Sequence, residues 1–185
     1  SQVAADLAAR RNLYVAETEL PWSAFSSWWQ SNGNRFPEKP QPDRGDMPVT
    51  GVSAQAFDAF ARSIGARLPT SQEWQGFASS SGFRFKERYK SERSPNCNSA
   101  KFIMQRGNDF RTDLKALPVR NADYGGHGVG GKFYHLGGNV SEVVSNGGNY
   151  SIAGSSFSSR QMGPLDEEPY KGYKDYVGVR LVIDP

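Results

Sequence analysis

A single cysteine, Cys97, stands in a chain of 185 residues. One thiol excludes an intramolecular disulfide, a cysteine-built zinc or iron–sulfur site, and any two-thiol redox centre. A lone cysteine reads first as a small buried hydrophobe. Histidine is nearly as scarce, with only His127 and His135, and neither has a carboxylate or serine at a recognised motif spacing. Each therefore reads as a loop or core residue rather than a metal ligand or general base. No apolar run approaches the roughly 18 residues that span a bilayer, and residues 1 to 12, SQVAADLAARRN, lack the apolar region and cleavage site of a signal peptide. The chain opens within what reads as a helix leading into a strand. That start suits a piece of a larger parent protein or a processed precursor, and by itself names no compartment.

Charge of one sign is also limited overall, at a net +3, but it is gathered. Residues 83 to 115 carry Arg84, Lys86, Arg88, Lys90, Arg93, Lys101, Arg106, Arg111 and Lys115 against four acids. Such a segment can meet phosphate or an acidic partner, yet it reads first as a solvated loop or edge face. No helix-turn-helix, zinc-finger or RNP-like pattern accompanies it, so nucleic acid is not an expected partner. Aromatic rings, by contrast, are plentiful. Four Trp, eight Tyr and eleven Phe give a chain of this length enough buried area for one core, and a single domain over residues 1 to 185 is expected.

NLYVAETEL reads as a strand, and Pro21 at a first helical position opens PWSAFSSWWQS, with Trp22, Phe25 and Trp28 or Trp29 on one face. Ser53 is a natural N-cap for a second helix in which Phe57, Phe60, Ala61 and Ile64 keep helical spacing until Gly65 ends it. Thr70 and Glu73 form a capping box for a third helix with Trp74 and Phe77 inward. Beyond residue 80 lie 15 of the 20 glycines, and only short runs such as LPV, KFYHL, EVVS and YVGVRLVI can be strands. Helices early and short strands late, with no β-α alternation, predict an α+β domain.

Two glycine-rich stretches invite a functional reading. GGHGVGG lacks the Lys-Ser/Thr of a phosphate loop and reads as a cluster of turns. In GGNVSE, closely spaced glycines let carbonyls converge while Glu142 supplies charge, the kind of oxygen set a hard cation takes. The same letters also describe a tight turn followed by a strand whose Glu faces solvent.

The order of blocks carries a resemblance. ETELPWSAF, MPVTGVSAQAFDAFARSIGARLPTSQEWQGFAS, NCNSA, LPV, GKFYHLGGNVSEVVS, NGGNYSIAGSSFSSR and YVGVRLV resemble successive blocks of the formylglycine-generating enzyme (sulfatase-modifying factor) family over roughly residues 13 to 182. The resemblance implies a C-type-lectin-like fold, α+β and loop-rich. Active members of that family oxidise a cysteine in a sulfatase peptide with two copper-binding cysteines. Here Ile152 and approximately Phe157 hold those positions, and carbon side chains offer copper no soft ligand. Copper is not expected. The histidine motif of the iron-dependent sulfoxide-synthase branch is also missing from the chain.

For calcium the resemblance implies carbonyls of Gly138 and Val140 with the Glu142 carboxylate, although His135 stands where a further Asn or Asp ligand is usual. Asn98, with Asp109 or Asp113, resembles a second family cation site. The expected function is a binding module for a protein or small-molecule ligand, read by a surface of Asn149, Tyr150, Ser155, Ser156, Phe157 and Arg160. A narrower version is a retroelement-diversified receptor domain, since GGNYSIAGSSFSSR and YVGVR also resemble the variable segment of such receptors. Similar modules occur as sensory or accessory domains of larger membrane-anchored or secreted bacterial proteins, so the resemblance also implies an extracytoplasmic location. The alternative is an enzyme, either a cryptic oxidase or an activity built on new residues.

Overall fold

The computed structural model describes residues 13–40, 44–80, 115–120, 134–135, 138–154, 156–158 and 167–185. Strand β1 is Tyr14–Val15, and helix α1 runs Trp22–Asn32 into a 3-10 turn, Gly33–Arg35. Helix α2 follows at Ala54–Ser63 and helix α3 at Ser71–Ser80. The later strands are β2 (Ser141–Asn146), β3 (Asn149–Ala153), β4 (Glu167–Pro169), β5 (Val177–Gly178) and β6 (Val182–Ile183). The expected α+β class with early helices and late short strands is what the chain forms.

Local chemistry accounts for the helix ends. Ser53 Oγ accepts from Ala56 N at 3.2 Å, the N-cap expected for α2. At the other end Gly65 has φ +73°, Ala66 N donates to Ala61 O and Gly65 N to Arg62 O, a Schellman closure that only a residue tolerant of positive φ completes without strain. The Thr70–Glu73 box is reciprocal: Thr70 N donates to Glu73 Oε1 at 3.0 Å and Glu73 N to Thr70 Oγ1 at 3.1 Å. Pro21 sits one place earlier than expected, as the extended N-cap of α1 at ψ 155° rather than its first helical residue. The side chain of Phe77 lies outside the described positions.

Strands β4, β3, β2 and β5 form one sheet in that order, antiparallel except for the parallel β2–β5 pair. β1 and β6 pair antiparallel as a second, two-stranded ribbon that joins the start of the domain to its end. The strand expectations held in part: of NLYVAETEL only Tyr14–Val15 is strand among the described residues. EVVS lies within β2, but YVGVRLVI splits into β5 and β6 because Val179 O and Leu181 O accept from Leu20 N and Ala16 N of the N-terminal segment. Leu117–Val119 is no strand, since Leu117 is held by a side chain described below. Of KFYHL, Tyr134 and His135 are described, and neither is in a strand.

The core is aromatic, as composition implied. Phe25 is fully buried and meets the rings of Trp22, Trp28, Trp29, Phe57 and Phe60 at centroid distances of 5.1–6.2 Å. A smaller cluster of Trp74, Ala78, Val144 and Ala153 packs α3 on the sheet. Where β5 passes the turn before β2, backbone and side chain approach closely. A Cβ on Gly178 would stand 2.9 Å from Val140 Cγ2 and 3.0 Å from Val49 O. Gly178→Ala is therefore expected to lower stability by about 1–3 kcal/mol in urea unfolding, because one of the two obstacles is backbone and cannot rotate away. Unfolding at an unchanged midpoint would contradict this packing.

Candidate functional site

The GGNVSE turn builds a buried polar centre. Asn139 has φ +69°, left-handed backbone that asparagine tolerates better than most residues, and its side chain is fully buried. Its Oδ1 accepts from Leu117 N at 2.8 Å, while Nδ2 donates to Leu117 O at 3.1 Å and to Glu19 Oε1 at 3.0 Å. Its carbonyl accepts from Phe157 N at 2.8 Å. The side-chain amide thus ties residues 19 and 117 to the turn, and the main-chain carbonyl ties Phe157. Nothing in the sequence reading singled out Asn139. The available signal was an Asn after two glycines, the composition of a left-handed turn.

Beside it lies Arg180, fully buried with Glu142. Arg180 Nη2 donates to Glu142 Oε1 at 3.0 Å and Nε to Oε2 at 3.2 Å, a bidentate fork. Nη1 donates to Ala16 O and Glu17 O, and Nη2 also to Tyr134 O. Glu142 therefore does not face solvent from its strand. It is the counter-charge of the C-terminal arginine.

Glu19 adds a second buried carboxyl, and its Oε2 has no hydrogen-bond partner among the described residues. Burial pushes Glu19 up to about 7, against the opposing charge of Arg180 and the bond from Asn139. Burial also raises Glu142, again opposed by Arg180. One guanidinium neutralises one carboxylate, so the coupled Glu19–Glu142 pair beside Arg180 keeps one proton above the ordinary carboxylate range. The sign of the linkage follows. Between the unfolded value near 4.5 and the raised folded value the unfolded chain ionises while the pair keeps its proton, so stability falls as pH rises through that window and levels off above it. Glu19→Gln is expected to flatten the fall, of order 1–3 kcal/mol, and to be the more stable form at pH 8. Melting temperatures across pH 5–8 check it, and parallel curves for the two proteins would refute it.

Calcium at Glu142 can be tested against this geometry. The ion takes six to eight oxygens at about 2.3–2.6 Å, but both Glu142 oxygens already accept from Arg180. A divalent ion bonded to either would stand within roughly 5 Å of the guanidinium, a repulsion of about 7 kcal/mol at an effective dielectric of 20. The residue at the remaining ligand position, His135, is buried with φ +56°. Among the described residues no three His, Cys, Asp or Glu side chains gather to hold a metal. The set of Gly138, Val140 and Glu142 does not fit a divalent cation, because a guanidinium already has the carboxylate. Asn98, Asp109 and Asp113, like Cys97 and His127, lie outside the described residues.

The expected recognition face divides. Ser156 and Phe157 are 1% and 8% exposed, so they do not face a ligand; Phe157 is drawn in by its bond to Asn139. Ile152 is 8% exposed, packed in the core on β3 opposite Val143. Ile152, and approximately Phe157, hold the positions where the resemblance places thiols, and both side chains are buried. Ser155 and Arg160 lie outside the described residues. Asn149 and Tyr150 do reach the surface, at the tip of the β2–β3 hairpin, where Gly147 and Gly148 have φ +57° and +88° and close a two-residue turn.

Two clefts meet at that tip. One, of about 470 Å³, lies among Asp58, Arg62, Arg67, Thr70, Asn149 and Tyr150. The other, about 840 Å³, is bounded by Gln55, Asn146, Asn149, Tyr150, Pro169 and Tyr170. Gln55, Asp58 and Arg62 recur at helical spacing, so α2 supplies one wall and the hairpin the other. Tyr150 and Tyr170 are edge to face at 5.9 Å, and Tyr170 Oη accepts from Ala54 N at 3.0 Å, which fixes that ring on the start of α2. Burial, then the charge of Asp58, raises the Tyr150 phenol above its usual range, so at neutral pH it is a neutral donor. Arg67 donates to both Glu73 and Asp184, and Arg62 pairs with Asp58 at 2.9 Å. The walls therefore combine compensated charge with amides and rings. None of the helical residues of these clefts stood out in the sequence, because their spacing says only that they share a face.

The family model of the sulfatase-modifying factor enzyme 1-like domain (FGE-sulfatase) matches residues 8–185. Among solved structures, CarF is 19% identical with a TM-score of 0.64, over 92% of this chain and 86% of that one. PvdO from Pseudomonas aeruginosa is 15% identical with a TM-score of 0.64, over 92% and 80%. Treponema denticola variable protein 1 is 16% identical with a TM-score of 0.63, over 94% and 84%. At these identities the likeness is one of fold. No curated protein matches the chain in sequence. With the family model spanning nearly every residue and the same fold in all three structures, the chain belongs to the sulfatase-modifying factor enzyme 1-like domain family.

Proposed function

We infer that this domain is a binding module that takes a protein or small-molecule ligand into the paired clefts around Asn149 and Tyr150. The observation that carries the reading is the meeting of two clefts at one hairpin tip, where Gly148, Asn149 and Tyr150 line both. An aromatic ring braced by a second ring and flanked by amides offers contact area at little conformational cost. Ile152 and Phe157 support the same reading, since each packs as hydrocarbon where an oxidase of this family would need sulfur. The likeness to a structure named as a variable protein supports the narrower version, a receptor whose hairpin segment differs between copies.

Screening arrayed peptides and small molecules against wild-type, Tyr150→Phe and Tyr150→Ala chains tests the inference. Ligands of the wild-type chain should be retained by Tyr150→Phe and weakened roughly 30-fold by Tyr150→Ala, the scale of a hot-spot residue worth about 2 kcal/mol. Undiminished binding to Tyr150→Ala would place recognition elsewhere. The enzyme reading has its own assay: incubation with copper and a cysteine-containing sulfatase-type peptide should leave the peptide mass unchanged. Conversion of that cysteine to an aldehyde would make the domain an oxidase.

A further inference from the structure

We propose that the guanidinium of Arg180 is the built-in cation of the Gly-Asn-Val-Ser-Glu turn, so that the turn keeps its conformation with no divalent ion at Glu142. The acceptor set around Arg180 is the argument. Two carboxylate oxygens of Glu142 and the carbonyls of Ala16, Glu17 and Tyr134 surround one fully buried cation. A bidentate carboxylate with several backbone carbonyls is an oxygen shell of the kind a hard metal ion collects. Here its members are spaced for the planar, five-donor fork of arginine. The cation is also covalently part of the chain, on the segment between β5 and β6, so it reaches its shell when the C-terminal segment docks on residues 16–20. Where a bound ion would draw together whichever ligands lie near it, Arg180 joins four separate stretches: residues 16–17, Tyr134, Glu142 and its own.

Neighbouring groups agree with a resident monovalent charge. Asn139, not a metal, satisfies Glu19 Oε1 and holds residue 117. The turn preceding Glu142 is closed by Asn139 in left-handed backbone and by Ser141 N donating to Tyr176 O at 2.8 Å.

The test is the calcium-induced change in melting temperature of the EDTA-treated full chain, compared between wild type and Glu142→Gln. An ion held by Glu142 would raise the wild-type value by roughly 5–10 °C at hundredfold excess over its Kd. The expected result is the same calcium response, including none, in both proteins. An equal, non-zero response places calcium elsewhere in the chain and leaves Arg180 in its role. A rise in the wild type that Glu142→Gln abolishes would overturn the proposal. Should Glu142→Gln not fold, the wild-type chain gives the answer by NMR. A slowly exchanging Arg180 Nε–H resonance in EDTA, unmoved when CaCl2 is added, supports the proposal. Its displacement or loss of protection by calcium overturns it.

Discussion

Arg180→Met is expected to cost the domain about 3–5 kcal/mol, because it removes the cation from a buried pair and leaves the carboxylate behind. That is a large part of the 5–15 kcal/mol that ordinarily holds a domain together, so chemical unfolding should begin at far lower denaturant. Arg180→Lys should rescue little. An ammonium keeps the charge but has three donors for the five acceptors around Arg180, and no planar fork for Glu142. Lowering the pH should shrink the loss in Arg180→Met, since the abandoned carboxyls then take up protons. Pairing Arg180→Met with Glu142→Gln should recover part of it for the same reason. A variant within about 1 kcal/mol of wild type would show that the pair is a surface-like contact.

The second large effect is expected at Phe25. Truncation to alanine should destabilise by about 3–5 kcal/mol, the usual range for a fully buried ring. The site cannot close easily over the gap, because its neighbours are five stiff rings, three of them on the same helix. Phe25→Leu should cost less, since most of the volume remains. Trp22, Trp28 and Trp29 all touch Phe25, so the near-ultraviolet dichroism of the folded Phe25→Ala chain should weaken along with its unfolding midpoint. An unaltered spectrum and midpoint would mean that this cluster is not the centre of the core.

Both effects concern residues whose legibility in the sequence differs. Phe25 was visible as part of an aromatic helical face, and the structure buries it as that pattern required. Arg180 was only one letter of a terminal block. Glu142 stood out, yet sequence chemistry left it divided between a cation ligand and a solvent-facing strand residue, and the structure buries it in an ion pair with Arg180. Ser156 and Phe157 looked like members of a recognition loop. They are covered because the Asn139 carbonyl draws Phe157 inward, a contact across eighteen positions that composition does not announce.

What the sequence determined by itself is whatever depends on near neighbours or on the order of blocks. The Ser53 cap, the Thr70–Glu73 box, the Gly65 stop, the aromatic face of α1 and the α+β class all rest on interactions a few positions apart, where backbone geometry dictates who meets whom. Only the tertiary structure decided the partners of Arg180, 38 positions from Glu142, and of Asn139, 120 positions from Glu19. It alone set α2 across from the β2–β3 hairpin so that Tyr150 lines two clefts. The physical reason is common to all three. Desolvation decides which partner a buried charge or amide must find, and desolvation exists only once distant segments have closed over it.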